Sequence, residues 1–340
     1  MSQLDPGVSY GLLDYQIMQN VYETLLWYNG SNSTDVIPWL VQNYTVSADQ
    51  KTYSFTLRSG ISFADGEPLN STAVYFSLNR LLINDGSYSV GHGGGAAWII
   101  QQLLNSSLSS ALCGCSLNYN STYVSNVLAE NFVQITGPLT FELHLQNPSA
   151  SLPFLLAGEW AAIVAPGFVM QHDLALWSQS SNGYTLPYPT LSGNETQMSN
   201  EYFADWASTC NTGTTPNGCA TTYLDVSQQG STAGTGPYTV ASANPTTGVE
   251  TLQANSHYWG SPNKLTPTFQ TIVVKYVPSL STRELDLTSA AASGQAMSVD
   301  IPNSNLYDVA NRNAWLGNNQ LVSVLQGVSI YGPYSCRALL

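Results

Sequence analysis

Apolar residues recur at every fourth position through Leu13, Ile17, Val21 and Leu25, which predicts a helix from about Leu12 with one buried face. The period breaks near Glu23, and Glu-Thr-Leu-Leu-Trp-Tyr reads as a strand that stops at Asn29-Gly30. After a turn at Asp49-Gln50-Lys51, Tyr53, Phe55 and Leu57 alternate with Ser54, Thr56 and Arg58, the two-residue period of a half-buried strand. Asp65-Gly66 is a turn dipeptide, because Gly accepts positive φ; its role is structural. Ser71 or Thr72 is placed to cap a helix running to about Ile83, with Val74, Leu78, Leu81 and Leu82 inside. Val133 and Ile135, then Gly137-Pro138, then Phe141, Leu143 and Leu145 predict a hairpin with His144 on its polar side.

Further on, residues 171–233 read as a loop-rich surface excursion. Gly234-Thr235-Gly236-Pro237 makes a sharp turn, and Tyr238 and Val240 leave it as a strand. A second strand, Glu250 to Ala254, follows the linker Asn244 to Gly248. Phe269, Ile272, Val273, Val274, Tyr276 and Val277 form a nearly continuous apolar run, expected to be a strand buried on both faces. Ser281-x-x-Glu284 is a capping box for a helix ending around Gly294.

At 340 residues the chain exceeds what one core usually serves, so two or three domains are expected. Only 9% of residues are charged and the net charge is -13, which excludes nucleic acid and anionic lipid as partners. The remaining polar surface is Ser, Thr, Asn, Gln and Tyr, a composition common on cell surfaces. Asn-x-Ser/Thr sequons at Asn29, Asn32, Asn43, Asn70, Asn105, Asn120 and Asn194 fit a secreted glycoprotein. Cys210 and Cys219 bracket a loop of Asn, Thr, Gly and Pro suited to a local disulfide. Cys113 and Cys115 are too close to pair easily with each other, and the pairing of these two and Cys336 stays open.

The chain opens without a basic, apolar leader, so an export signal and an anchor are expected outside this sequence. The most apolar window, Leu152 to Met170, is interrupted by Pro153, Glu159, Pro166 and Gly167 and is not a membrane span. Gly91-His92-Gly93-Gly94-Gly95 has the look of a lipase oxyanion loop, but no G-x-S-x-G elbow accompanies it, so it reads as a flexible loop. The histidines lie apart from one another and from acids at ligand spacing. No catalytic residue, metal site or cofactor is therefore assigned.

Several stretches, in order, resemble one family. "NVYETLLWYNG", "YSFTLRSGISFADGEPL", "TFELHLQNPSASLPFLLA", "GTGPY" followed by "NSHYWG", and "IVVKYVPSLSTRELDLTSAAASGQAMSVDIP" are similar to the extracellular solute-binding proteins of ABC importers, in the oligopeptide/dipeptide-binding branch (family 5). Two departures stand out. Ala73 replaces the family's acid before Val74, and Met297-Ser298 replaces an acid-hydrophobic pair.

The resemblance implies an α/β fold of the periplasmic-binding-protein-like type II (Venus-flytrap) kind, with an inserted small domain. Residues 1–47 and 148–275 would be the main part of lobe I, 48–147 the small α+β domain, and 276–340 the beginning of lobe II. The second lobe would be mostly missing from an apparently truncated chain. The part from about Ser279 is then expected to pack poorly, exposing Leu321, Val322, Val324 and Leu325. The resemblance also implies ligand contacts from Tyr22, Glu23, Thr24, Leu25, Thr235, Gly236, Tyr258 and Trp259 around an open groove, with the Glu23–Leu25 backbone facing it.

The function implied is not enzymatic. It is capture of oligopeptides or oligosaccharides outside the cell for delivery to ABC permease subunits. The 20 tyrosines and eight tryptophans could stack on the sugars bound by related archaeal and bacterial members. Two other readings are a secreted surface-layer glycoprotein and a secreted hydrolase. The first lacks the expected repeats, and the second lacks a paired catalytic constellation.

Overall fold

The computed structural model describes residues 4–293 apart from 8, 10, 11, 31, 93–99, 101, 102, 104–120, 180–194, 211–221, 227–231, 245, 261, 263–265 and 268. Two compact units are present, one reaching Val274 and another beginning at Lys275. Among the described residues no helix is long and apolar enough to cross a membrane.

Helix α1 (Leu12–Val21) buries Ile17 and Val21, two positions of the predicted face, and Met18 beside them; the side chain of Leu13 lies outside the described residues. Its chain continues through Glu23 into β1 (Leu26–Asn29), which pairs antiparallel with β2 (Asn32–Pro38). Between them Gly30 takes a φ of 60°, a left-handed conformation that glycine reaches without a Cβ clash.

The next elements form one antiparallel sheet. Strands β3 (Val41–Val46), β4 (Thr52–Leu57), β5 (Val133–Gly137) and β6 (Thr140–His144) lie in the order β3-β4-β6-β5. Tyr44, Phe55 and Phe141 stand opposite one another across this sheet, with ring centroids 5.5 and 5.0 Å apart in stacked pairs. Such cross-strand pairs fix the register, because a slip of one residue would turn the rings to the other face.

Helix α2 (Ser71–His92) packs against β5 and buries Val74, Leu78, Leu81 and Leu82, as expected. It runs beyond Ile83 and takes in Gly91 and His92, which the sequence assigns to a loop. Its cap is also one residue earlier than expected. Asn70 Oδ1 accepts the Ala73 N–H at 2.9 Å, while the Ser71 hydroxyl donates to the Gly137 carbonyl at 2.5 Å. Ser71 thus fastens the helix to the β5–β6 turn.

Helix α3 (Ser121–Ala129) and the short α4 (Leu152–Leu155) follow. The region 171–233 differs from its reading as loop. It holds α5 (Pro166–Gln179), α6 (Glu195–Cys210) and α7 (Tyr223–Val226). Tyr202 and Phe203 of α6 are core residues, 5.3 and 5.6 Å from the Phe76 ring between centroids. The polar runs between these helices dilute the period that would reveal them. Cys219, Cys113, Cys115 and Cys336 lie outside the described residues, as does the side chain of Cys210, and with them the expected disulfide. Leu321, Val322, Val324 and Leu325 lie outside them too.

Strands β7 (Tyr238–Asn244), β8 (Val249–Ala254) and β9 (Thr271–Lys275) make a second sheet in that order. β9 is an edge strand rather than one buried on both faces: its residues alternate exposed and half-buried, and Val273 is 62% exposed. In the second unit, α8 (Leu280–Ser293) ends where expected but is capped by Ser279, not Ser281. The Ser279 hydroxyl accepts the Thr282 N–H at 3.3 Å and its carbonyl the Arg283 N–H at 3.1 Å.

One buried ionic cluster ties the N-terminal segment to these helices. Arg80 of α2 is 2% exposed and binds Asp5 through both guanidinium nitrogens, at 2.7 and 2.5 Å. Asp173 of α5 lies 3.8 Å from the same guanidinium and accepts the Tyr202 hydroxyl at 2.7 Å and the Tyr223 N–H at 2.6 Å. Asp5 also accepts from the Gly7 N–H at 2.9 Å and from the Thr222 hydroxyl. Burial alone would raise the Asp5 carboxyl, but Arg80 and these donors hold it below its usual value. Burial pushes Asp173 up to about 6, against the pull of Arg80 and Tyr202, with Asp5 adding to the rise.

Candidate functional site

The residues singled out by the family resemblance come together where α1 ends. Ala233 to Pro237 passes so close to α1 that only glycine fits. A Cβ on Gly234 would lie 1.9 Å from the Val21 carbonyl oxygen, and one on Gly236 would lie 2.6 Å from the same atom. The Gly236 N–H donates to that oxygen at 3.0 Å, satisfying a carbonyl in the last turn of α1. The Gly234 carbonyl accepts the Ala64 N–H at 3.0 Å, and the Ala233 carbonyl the Ala165 N–H at 2.9 Å. Asn255 completes the lock. Its side chain donates to the Gly236 carbonyl at 2.8 Å, its N–H to the Pro237 carbonyl at 2.8 Å, and its Oδ1 accepts the His257 N–H at 2.9 Å. The spacing between "GTGPY" and "NSHYWG" is therefore a structural pairing across the β7–β8 hairpin.

That lock delivers Thr235, Tyr258 and Trp259 to Glu23. Glu23 is 1% exposed, and among the described residues its carboxylate accepts from four neutral donors. Oε1 takes Trp39 Nε1–H at 2.8 Å and the Tyr258 hydroxyl at 3.3 Å. Oε2 takes the Thr235 hydroxyl at 2.9 Å and Trp259 Nε1–H at 2.6 Å. Two bonds on each oxygen is the pattern an ionised carboxylate can satisfy. Around it the rings of Trp27, Trp39, Trp259 and Tyr258 follow one another with centroids 6.1, 6.5 and 6.3 Å apart. Trp27 and Trp39 are buried, whereas Trp259 and Tyr258 are half-exposed.

The structure thus gathers Glu23, Thr235, Gly236, Tyr258 and Trp259, with Tyr22, Thr24 and Leu25 alongside in the same chain segment. It does not leave the Glu23–Leu25 carbonyls free to face a groove. The Glu23 carbonyl accepts the Ile163 N–H at 3.0 Å and that of Thr24 the Leu40 N–H at 3.3 Å. The Leu25 carbonyl accepts from Trp39 at 3.0 Å and Val41 at 3.3 Å. Tyr22, Thr24 and Leu25 are buried side chains, and Leu25 belongs to the core. Trp39 and Asn255 are the functional neighbours that the sequence reading leaves out of the site. Asn255 opens the quoted stretch NSHYWG and Trp39 lies outside the quoted stretches, and nothing local marks the distant partner of either.

A separate cavity of about 390 Å³ lies between the Asp65–Glu67 turn and the start of α5, lined in part by Phe168, Met170 and Met198. Glu67 spans it by accepting the Gly167 N–H at 2.9 Å, which caps α5. Burial raises the Asp65 carboxyl, whose Oδ1 accepts the Glu67 N–H at 2.9 Å in a turn with Gly66 at a φ of 94°. No group of three or more His, Cys, Asp and Glu among the described residues could hold a metal ion.

Several known proteins are similar to this chain, some in part of its sequence and others in its fold. The nickel-binding periplasmic protein of Escherichia coli (strain K12) is 42% identical over 64 residues, 19% of this chain and 12% of that protein. The probable D,D-dipeptide-binding periplasmic protein DdpA of the same strain is 38% identical over 82 residues, 23% of this chain and 16% of that protein. Among solved structures, the Escherichia coli murein tripeptide binding protein MppA matches with a TM-score of 0.56 at 16% identity, covering 91% of this chain and 46% of that one. Haemophilus influenzae OppA in complex with the peptide RPPGFSPFR matches with a TM-score of 0.58 at 14% identity, covering 93% of this chain and 47% of that one.

The chain therefore spans about half the length of these solved chains, and its fold is that of the type II periplasmic binding proteins. Residues 35–314 match the family model described as bacterial extracellular solute-binding proteins, family 5 Middle. With most of its length covered by that match, the chain belongs to the family 5 extracellular solute-binding proteins, a family of binding proteins rather than enzymes.

Proposed function

We propose that this chain takes part in capturing peptides outside the cell and passing them to the permease of an ABC importer. The observation that carries the reading is the Glu23 cluster, which draws the family's separated motifs to one place and ends in two half-exposed aromatic rings. A binding surface of this kind is mostly apolar with a few fixed polar groups. Tyr258 and Trp259 are the ligand contacts in this reading. Tyr22, Glu23, Thr24, Leu25, Thr235 and Gly236 hold them in place from behind. Peptides are favoured over oligosaccharides because DdpA and MppA are named for peptides and OppA is in complex with one, while the other relative given above is named for nickel and none of the four for a sugar. The surface-layer and hydrolase readings find no such support.

The lobe assignment is part of the proposal: 1–47 with 148–275 as the main part of lobe I, 48–147 as its small domain, and 276–340 as the start of lobe II. Isothermal titration calorimetry tests the function, run on this chain and on any longer product of the same gene. Di- to hexapeptides are expected to bind and glucose oligomers of similar mass to give no heat. Binding of the sugars with no response to peptides would overturn the reading.

A further inference from the structure

Glu23 bears on which peptides would be taken, an inference that rests on the peptide-binding reading above. The indole of Trp259 has one polar atom, Nε1, and it is spent on Glu23 Oε2 at 2.6 Å. The phenol oxygen of Tyr258 is turned to Glu23 Oε1 at 3.3 Å. Trp39 and Thr235 also direct their polar atoms at this carboxylate. Each ring therefore has its polar atom turned inward, towards Glu23. The carboxylate is 1% exposed with two donors on each oxygen, so it offers little to a ligand ammonium. The carbonyls of Glu23, Thr24 and Leu25 are likewise taken within the fold. This segment cannot extend a strand-like ladder of carbonyl bonds to a peptide main chain.

We infer that Glu23 is a positioning residue, not a ligand contact, and that the aromatic wall it sets up selects peptides bearing an aromatic or aliphatic side chain over peptides bearing an acidic one. A carboxylate set against that wall would lose water and meet the negative faces of the rings, whereas a phenyl or isobutyl group gains by leaving water. The effect is a preference of about 10-fold or more, the scale of burying one large apolar side chain. Glu23→Gln reverses the cause. One carboxylate oxygen becomes an NH₂ group facing donors, so a ring on that side loses its anchor.

The test titrates the wild type and Glu23→Gln with the tripeptides Ala-Phe-Ala, Ala-Leu-Ala, Ala-Asp-Ala and Ala-Lys-Ala, and records the near-UV circular dichroism of both proteins without ligand. The wild type is expected to bind the Phe and Leu peptides at least about 10-fold tighter than the Asp peptide, with the Lys peptide between them. In Glu23→Gln that ratio is expected to fall to within about 3-fold, with altered tryptophan bands in the ligand-free spectrum. Should Glu23→Gln fail to fold, Trp259→Ala, at a half-exposed position, is expected to erase the same ratio. Equal or tighter binding of the Asp peptide by the wild type overturns the selectivity, and an unchanged spectrum and ratio in Glu23→Gln overturns the positioning role. A wild type that binds none of the four overturns both this inference and the peptide reading, whereas binding without preference overturns this inference alone.

Discussion

Two carboxylate clusters lie in the same folded unit and solve the problem of a buried negative charge in opposite ways. At Asp5 and Asp173 the charge is met by a cation, the Arg80 guanidinium, 2.5 Å from one acid and 3.8 Å from the other. At Glu23, among the described residues, hydroxyl and indole donors gather on the carboxylate. The ionic cluster joins the N-terminal segment to α2, α5 and Thr222-Tyr223, and all three ionic groups are within 2% of full burial. It is a staple. The neutral-donor cluster reaches half-exposed rings, and what it fixes is their direction. The bidentate Arg80–Asp5 pair locks backbone elements together, whereas a fan of neutral donors on one carboxylate fixes where each ring points.

The largest expected effect breaks the staple. Arg80→Met leaves two buried carboxylates without their cation and is expected to lower unfolding free energy by about 3–5 kcal/mol in urea denaturation. Replacing Asp5, Arg80 and Asp173 together by apolar residues of similar size should recover most of that loss. If the single variant unfolds within about 1 kcal/mol of wild type, the ionic cluster is not the staple described.

The next effect is a slope with pH. The Asp173 carboxyl titrates at about 6 in the native protein, above its ordinary 3.8, so the folded state keeps a proton that the unfolded chain releases. Stability from this group therefore falls as pH rises from 3.8 to about 6 and stays level above that. Asp5 runs the other way: its contribution is present above 3.8 and is lost as pH falls further. Between mildly acid and neutral pH, Asp173→Asn is expected to remove a slope worth roughly 3 kcal/mol, read as the change in urea midpoint from pH 4 to pH 7. An Asn variant that follows the wild-type slope counts against the assignment.

At the other cluster the stability losses should be smaller. Glu23→Gln is expected to cost about 2 kcal/mol, since a buried indole N–H then faces an amide NH₂. Trp39→Phe keeps a ring and removes one donor from Glu23, with an expected loss of about 1 kcal/mol. Thermal denaturation of both variants beside Arg80→Met checks the order. A Glu23→Gln loss matching that of Arg80→Met would erase the distinction between staple and pointer.

The two clusters also differ in how well the sequence exposes them. Glu23, Thr235, Tyr258 and Trp259 lie in motifs that resemble a family, so their proximity is legible, but their role is not. Whether a carbonyl such as that of Leu25 faces a cleft or a neighbouring strand depends on residues 14 and 16 positions away, Trp39 and Val41. Arg80 left a fainter signal: one of only eight basic residues, set inside the apolar run from Val74 to Leu82. A cation there must find a buried acid, yet α5, which supplies Asp173, is hidden in a stretch that reads as loop. The local strands were read well where alternation is strict, as at Tyr53, Phe55 and Leu57. They were misread at β9, where a Val/Ile run looks the same whether both faces are covered or the strand is an edge. The helix caps fell one or two residues off because Asn70 and Ser279 stand beside equally plausible hydroxyls.

The carboxylate at Glu23 also sets a timetable. Its partners Thr235, Tyr258 and Trp259 stand 212, 235 and 236 residues further along the chain. A ribosome adding about 5–20 residues each second would need roughly 10–40 s to bring Thr235 out after Glu23. During that interval the end of α1 carries an acid without those partners, and the Val21 carbonyl awaits the Gly236 N–H. Native pairing here has to be a late event, entered only when the β7–β8 hairpin closes onto the N-terminal helix. A nascent chain of this kind gains from slow emergence and from a chaperone that covers α1, and refolding from denaturant should be slow for its size because its decisive contacts are so distant in sequence.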